Sequence, residues 1–218
     1  MTVSSSMKLK ITNKLAFIFI TGSLLVACQK ESDLQDSNNP SNGDNEELVD
    51  DWNFVNQGGI INTTVSFSES GLPVKAVAFS DYLSQNNTGT LKVTTNQFLF
   101  SGIGYTINDE VNIKFYLAGL LVDETDSAFN ATTPPTNTTI DYVRNSDDSL
   151  TFSGAIFTGP DPTGGGTPPN GPMGAKIRIA NDTLSLTIKN TLDTTISQAG
   201  TPANLKAQYE TVLRFTRQ

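Results

Sequence analysis

The residue types that dominate biological catalysis are thinly supplied in this chain of 218 residues, and their scarcity narrows the chemistry. Histidine is absent, so Ser-His-Asp and Cys-His nucleophilic systems cannot be assembled, nor can the usual histidine-ligated zinc and iron sites. One thiol is present, Cys28, and with no second cysteine it closes no intramolecular disulfide. The 22 acidic residues remain, and they admit two chemistries: a pair of carboxylates working as acid and base, as in glycoside hydrolysis, or oxygen ligation of calcium. Glu110 and Asp141 are the pair considered for hydrolysis, but no spacing links them. The sequence therefore assigns no catalytic residue, no metal site and no cofactor, and a non-enzymatic protein is expected.

Cys28 takes its meaning from the residues before it. Lys8, Lys10 and Lys14 form a positive segment with no acid before Glu31, and Leu15 to Ala27 is an uncharged, mostly apolar run of 13 residues. That length suits the core of a secretory signal and falls short of the roughly 20 residues that span a bilayer. Leu25-Val26-Ala27-Cys28 resembles the lipobox of bacterial lipoproteins. The resemblance implies cleavage between Ala27 and Cys28, diacylglyceryl transfer to the thiol and a lipid anchor, two or more acyl chains being needed for stable attachment. Gln29-Lys30-Glu31-Ser32-Asp33 is similar to the acidic export signal of Bacteroidota surface lipoproteins and reads equally as a polar tether. The expected location is the outer membrane, on the cell surface or the periplasmic face.

Removal of residues 1–27 takes away three cations and no acid, moving the net charge from -8 to -11. Nucleic acid is excluded as an expected partner, because engaging phosphates needs a basic surface. Residues 28–50 carry almost nothing to bury and are expected to be a disordered acidic tether. Residues 51–218 form the expected single domain, large enough to be held by its own core.

The elements of that domain are read from hydrophobic period. Val111, Ile113, Phe115 and Leu117 alternate with polar or amphipathic residues, and the same period of two recurs through Leu91/Val93, Phe98/Phe100, Ile140/Tyr142, Leu150/Phe152, Ile177/Ile179, Leu184/Leu186/Ile188 and Leu213/Phe215. About ten strands of an antiparallel all-β domain are expected. Hairpin turns are expected at Asn108-Asp109, Asn145 to Asp148 and Asn181-Asp182. Further turns are expected near Ser80 to Ser84, long irregular loops over Asp123 to Asn137 and Thr158 to Gly174, and one helix over Thr201 to Tyr209 with Pro202 at its first position.

Trp52 at the first strand, Ile179 to Leu186, and Leu213-Arg214-Phe215-Thr216-Arg217 at the end resemble the lipocalin-like lipoproteins of Bacteroidota. Asp50 stands where classical lipocalins have glycine, and Gly58 and Gly59 are expected to interrupt the first strand. The resemblance implies an up-and-down barrel, with a β-sandwich as the alternative, and a closing contact between Arg217 and Trp52. It further implies an interior in which Phe98, Phe100, Ile113, Phe115, Tyr142 and Phe152 either line a site for a small apolar or amphipathic ligand or fill the core. In the sandwich reading the protein is an adhesin that binds glycans through its long loops, with Tyr105 and Tyr116 as exposed aromatics. Ser127, Ser149, Thr183 and Thr194 each follow aspartate in tripeptides similar to the O-glycosylation motif of Bacteroidota.

Overall fold

The computed structural model describes residues 47–154, 156, 171–198 and 201–218. These form nine strands: β1 (Asp51–Glu69), β2 (Leu72–Leu83), β3 (Gln85–Val93), β4 (Gln97–Leu117), β5 (Leu120–Ser146), β6 (Ser149–Phe152), β7 (Met173–Ala180), β8 (Thr183–Gln198) and β9 (Thr201–Arg217). All belong to one antiparallel sheet that closes on itself through pairing of β1 with β9. The expected all-β class is present, with strands far longer than the sequence pattern suggests.

Two-residue turns set the register of three hairpins. Ser70-Gly71, Ala118-Gly119 and Asn181-Asp182 all have positive φ at both positions, the backbone that matches the twist of a tight hairpin. At a different kind of position, Gly89 has φ +107°, and a Cβ there would lie 2.6 Å from the Gly102 backbone. This close approach accompanies the register shifts of the β3–β4 pair, so glycine is required for steric as well as torsional reasons.

Strand length divides the molecule into two ends. At the Trp52 end, β1, β3, β4, β5, β6, β7, β8 and β9 form a closed ring of hydrogen-bonded neighbours. Among the described residues β6 and β7 extend no further, whereas β5 and β8 continue. The described residues of the far end therefore pair in the order β5-β4-β2-β1-β9-β8, with β5 and β8 at the two ends of that order.

The closed end holds the main core. Trp52, Phe98, Phe100, Phe152, Phe215, Leu91, Leu150 and Leu184 are all buried, each contributing about 1.5–3 kcal/mol through removal from water. The Phe98 ring meets Tyr142 and Phe152 nearly at right angles, with centroids 4.9 and 5.0 Å away. Leu48 is fully buried in the same cluster, and its carbonyl accepts the Trp52 indole N–H at 3.3 Å. The folded domain thus begins before residue 51, and the last residues of the expected tether belong to it. The open end carries two small clusters instead, one around Val74, Ala76, Ala78, Ile113 and Phe115, the other around Val65, Ala203 and Leu205.

Several local expectations are corrected. Residues Thr201 to Tyr209 are strand, not helix, because β9 is paired on both sides and buries Ala203, Leu205 and Ala207 while exposing Asn204, Lys206 and Gln208. Asn108-Asp109 is not a turn but lies inside β4, and the Ser80 to Ser84 region is the end of β2 running into β3. The expected loop Asp123 to Asn137 is the interior of β5. Its Pro134-Pro135 falls at a register irregularity against β4 and on an edge with no neighbour among the described residues, where proline removes no ladder bond. Gly58 and Gly59 do not interrupt β1. Most of the Thr158 to Gly174 loop lies outside the described residues, and Met173 and Gly174 belong to β7.

Candidate ligand-binding interior

The inward face of β1 changes parity. Trp52 and Phe54 point inward on even numbers, and a bulge between Phe54 and Asn56 then turns Gln57, Gly59, Ile61, Thr63 and Val65 inward on odd ones. A bulge adds a residue and re-aims the side chains beyond it, and here it places an amide in the barrel. Gln57 is fully buried and is the next inward residue of β1 after Phe54, whose ring meets Phe215.

The backbone and side chain of Gln57 are fixed separately. Its N–H donates to Ser84 Oγ at 2.7 Å and its carbonyl accepts from Ser84 N–H at 2.8 Å. Its Nε2 donates to the Tyr82 hydroxyl at 2.9 Å. Tyr82 reaches that point because it lies opposite Gly59, where a Cβ would sit 2.6 Å from the tyrosine ring. Phe129 packs edge-on against the same ring at 5.9 Å.

Around this pair the inward face turns polar. Ser80 lies opposite Ile61 on β2, Thr63 is the next inward residue of β1, and Tyr105 projects from β4 opposite Thr133. Gln57 Oε1, Thr63 Oγ, Ser80 Oγ and the Tyr105 hydroxyl are all buried without a hydrogen-bond partner. The Thr133 and Gln57 side chains stand close enough to the Tyr105 hydroxyl to act on it as hydrogen-bonding neighbours, although neither meets full hydrogen-bond geometry. Each buried polar group left in that condition costs about 1–3 kcal/mol. Four on one inward surface are polar groups that a bound molecule is able to satisfy.

Burial also sets the acid–base character of the belt. It pushes the Tyr82 hydroxyl above its ordinary range, against the opposing bonds to Gln57 and Thr211. Tyr105 is pushed up chiefly by burial, with Thr133 opposing, Tyr82 adding to the rise and Gln57 opposing. Both phenols are therefore neutral at physiological pH and act as hydrogen-bonding groups without charge.

The residues singled out from the sequence are divided between the two ends. Phe98, Phe100, Tyr142 and Phe152 form the aromatic floor of the closed end, below the polar belt. Ile113 and Phe115 pack in the open half with Val74, Ala76 and Ala78. Trp52 and Arg217 are register partners, and the guanidinium carbon stands 5.0 Å from the indole centroid. Arg217 Nε also lies 3.0 Å from Asp50 Oδ2, an ion pair outside hydrogen-bond geometry, and Nη2 donates to the Glu47 carbonyl at 3.0 Å.

The remaining candidates lie apart. Ser127 is exposed on β5 in phase with Phe129, and Thr194 is half-buried opposite Leu205 on β8. Ser149 and Thr183 are half-buried where β6 and β8 begin. Tyr105 is 2% exposed and does not present the accessible ring that sugar stacking needs, while Tyr116 lies beneath the Lys75 ammonium at 4.4 Å. Glu110 and Asp141 pair with Ala128 and Gln97 on the β4–β5 ladder, on the order of 40 Å apart at the usual strand rise, so they form no acid pair. Among the described residues no cluster of His, Cys, Asp and Glu is arranged to hold a metal ion. Ala27 and Cys28 lie outside the described residues.

Sequence reading overlooked Gln57, Thr63, Ser80 and Tyr82. Their signal was available in part: Ser80 and Tyr82 share the even phase of Val74, Ala76 and Ala78. Gln57 had none, since only the bulge turns it inward. No protein-family model, no curated protein and no solved structure matches the chain.

Proposed function

We propose that this chain is a non-enzymatic lipoprotein of the bacterial envelope, anchored in the outer membrane through lipid on Cys28, whose lipocalin-like barrel binds a small apolar or amphipathic molecule. The anchor rests on the charged, apolar and lipobox segments that precede Cys28. The observation that carries the binding role is the belt of buried, unpartnered polar atoms at Gln57, Thr63, Ser80 and Tyr105, standing above an aromatic floor. A core selected for stability alone replaces such groups by apolar ones, because their desolvation is uncompensated. Binding sites instead combine an apolar lining with a few placed polar groups.

Two measurements test the reading. Native mass spectrometry of the full chain extracted from bacterial membranes is expected to show a non-covalent organic adduct, released by solvent and recovered in the extract. A chain carrying only its covalent lipid counts against the binding role. Growth with a clickable fatty acid is expected to label the wild-type chain and not Cys28→Ser, and an unlabelled wild type removes the anchor.

A further inference from the structure

The chemistry of the polar belt selects among amphipathic ligands, an inference that rests on the barrel being a binding site. We infer that the belt receives the head group of an uncharged amphiphile bearing a hydroxyl, such as a monoacylglycerol or a long-chain alcohol, in preference to a fatty-acid carboxylate.

The groups awaiting a partner are an amide and three hydroxyls, all neutral. Gln57 is tied to Tyr82 through one side-chain atom, which leaves the other directed at the interior. Whichever way the amide is turned, its free atom is met by a hydroxyl, which both donates and accepts. Thr63, Ser80 and Tyr105 are likewise met by a group of mixed character.

A carboxylate fits poorly on two counts. It only accepts hydrogen bonds, and it brings a charge that needs a cation when taken out of water. Among the described residues no lysine or arginine shares the inward phase from Gln57 to Thr63 or on the strands facing it. Lys189 and Lys206 point outward and pair with Glu210 and Asp193 at 2.9 and 3.0 Å. At the closed end, Arg217 lies over Trp52, and Arg144 donates to the carbonyls of Ser146 and Asp147. An acid does share the inward phase of β4: Asp109 stands between Ile107 and Val111.

The test titrates the full chain, immobilised on beads, with tritiated 1-oleoylglycerol and tritiated oleate at pH 8. The monoacylglycerol is expected to bind at least about tenfold more tightly, one well-placed hydrogen bond being worth roughly that factor. Gln57→Leu and Tyr105→Phe are each expected to weaken its binding by about tenfold and so to erase its advantage over oleate. Tyr105→Phe removes one unbonded oxygen, so it carries the test should Gln57→Leu not fold. Equal or tighter binding of oleate overturns the head-group assignment while the barrel remains a binding site, as does a preference that survives both variants. If neither probe binds, the binding role itself falls and this inference with it.

Discussion

The two ends of the sheet are built from the same long strands and solve opposite problems. At the Trp52 end eight strands pair in a ring around large aromatic side chains. At the far end six strands remain among the described residues, and Ala76, Ala78, Ala203 and Ala207 stand on the buried face beside Val74, Ile113, Phe115 and Leu205. The change follows from the lengths of β6 and β7, four and eight residues, against 27 for β5 and 16 for β8. Among the described residues no strand joins β5 to β8 at that end. Stability is thereby concentrated where the ring is complete, which leaves the middle of the barrel free to carry polar groups that a core would reject.

The sharpest way to break this contrast is to remove comparable bulk from each end. Phe98→Ala, at the centre of the aromatic floor, is expected to cost about 3–5 kcal/mol in chemical denaturation. Leu205→Ala, in a small cluster of the open end, is expected near the lower bound for such truncations, about 2 kcal/mol, because fewer neighbours are left around the gap. Equal losses at the two sites remove the division of labour. Gly89→Ala probes the closed end through the backbone and is expected to cost roughly 2–3 kcal/mol, since a methyl group meets the Gly102 peptide at a φ that alanine resists. An unchanged denaturation midpoint would show that the β3–β4 bulge adapts freely. Arg217→Gln, which removes the cation over Trp52, is expected to cost about 1 kcal/mol, with the exposed partnership to Asp50 adding little. A loss near that of Phe98→Ala would make Arg217 part of the core.

How far this contrast was legible in the sequence depends on what each residue's signal measures. Period two marked Phe98/Phe100, Leu184/Leu186 and Leu213/Phe215, because a buried apolar face writes itself directly into composition. It failed over Thr201 to Tyr209, where Ala203, Leu205, Lys206, Ala207 and Gln208 are all good helix formers and the alternation has little contrast. There, pairing with β1 and β8 decides the structure, a tertiary effect that no local propensity contains. Asp123 to Asn137 misled for the opposite reason: its prolines and acids are signs of a loop, and they are equally the residues that an unpaired edge strand tolerates. The polar belt was the least visible feature of all. A glutamine turned inward by a bulge looks like any surface glutamine until the register against β9 is known.

The smallest effect expected is also the one that best separates the belt from the floor. Tyr105→Phe deletes a buried hydroxyl without a hydrogen bond, so at pH 7 the variant is expected to be as stable as the parent or more so by up to about 1 kcal/mol. Its signature lies at alkaline pH. The folded pKa of Tyr105 is raised above the ordinary value near 10, so between the unfolded and the folded values the native state holds a proton that the unfolded chain has released. The contribution is fully present below about pH 10 and is lost as pH rises through the folded value. Tyr82 obeys the same sign, because burial raises it as well. Alkaline unfolding followed by circular dichroism is therefore expected to move to higher pH in Tyr105→Phe and to become less steep, with Tyr82 supplying the remaining slope. An alkaline transition identical to that of the parent would mean that water reaches Tyr105 freely, and a belt open to water has no unmet hydrogen bonds with which to select a ligand.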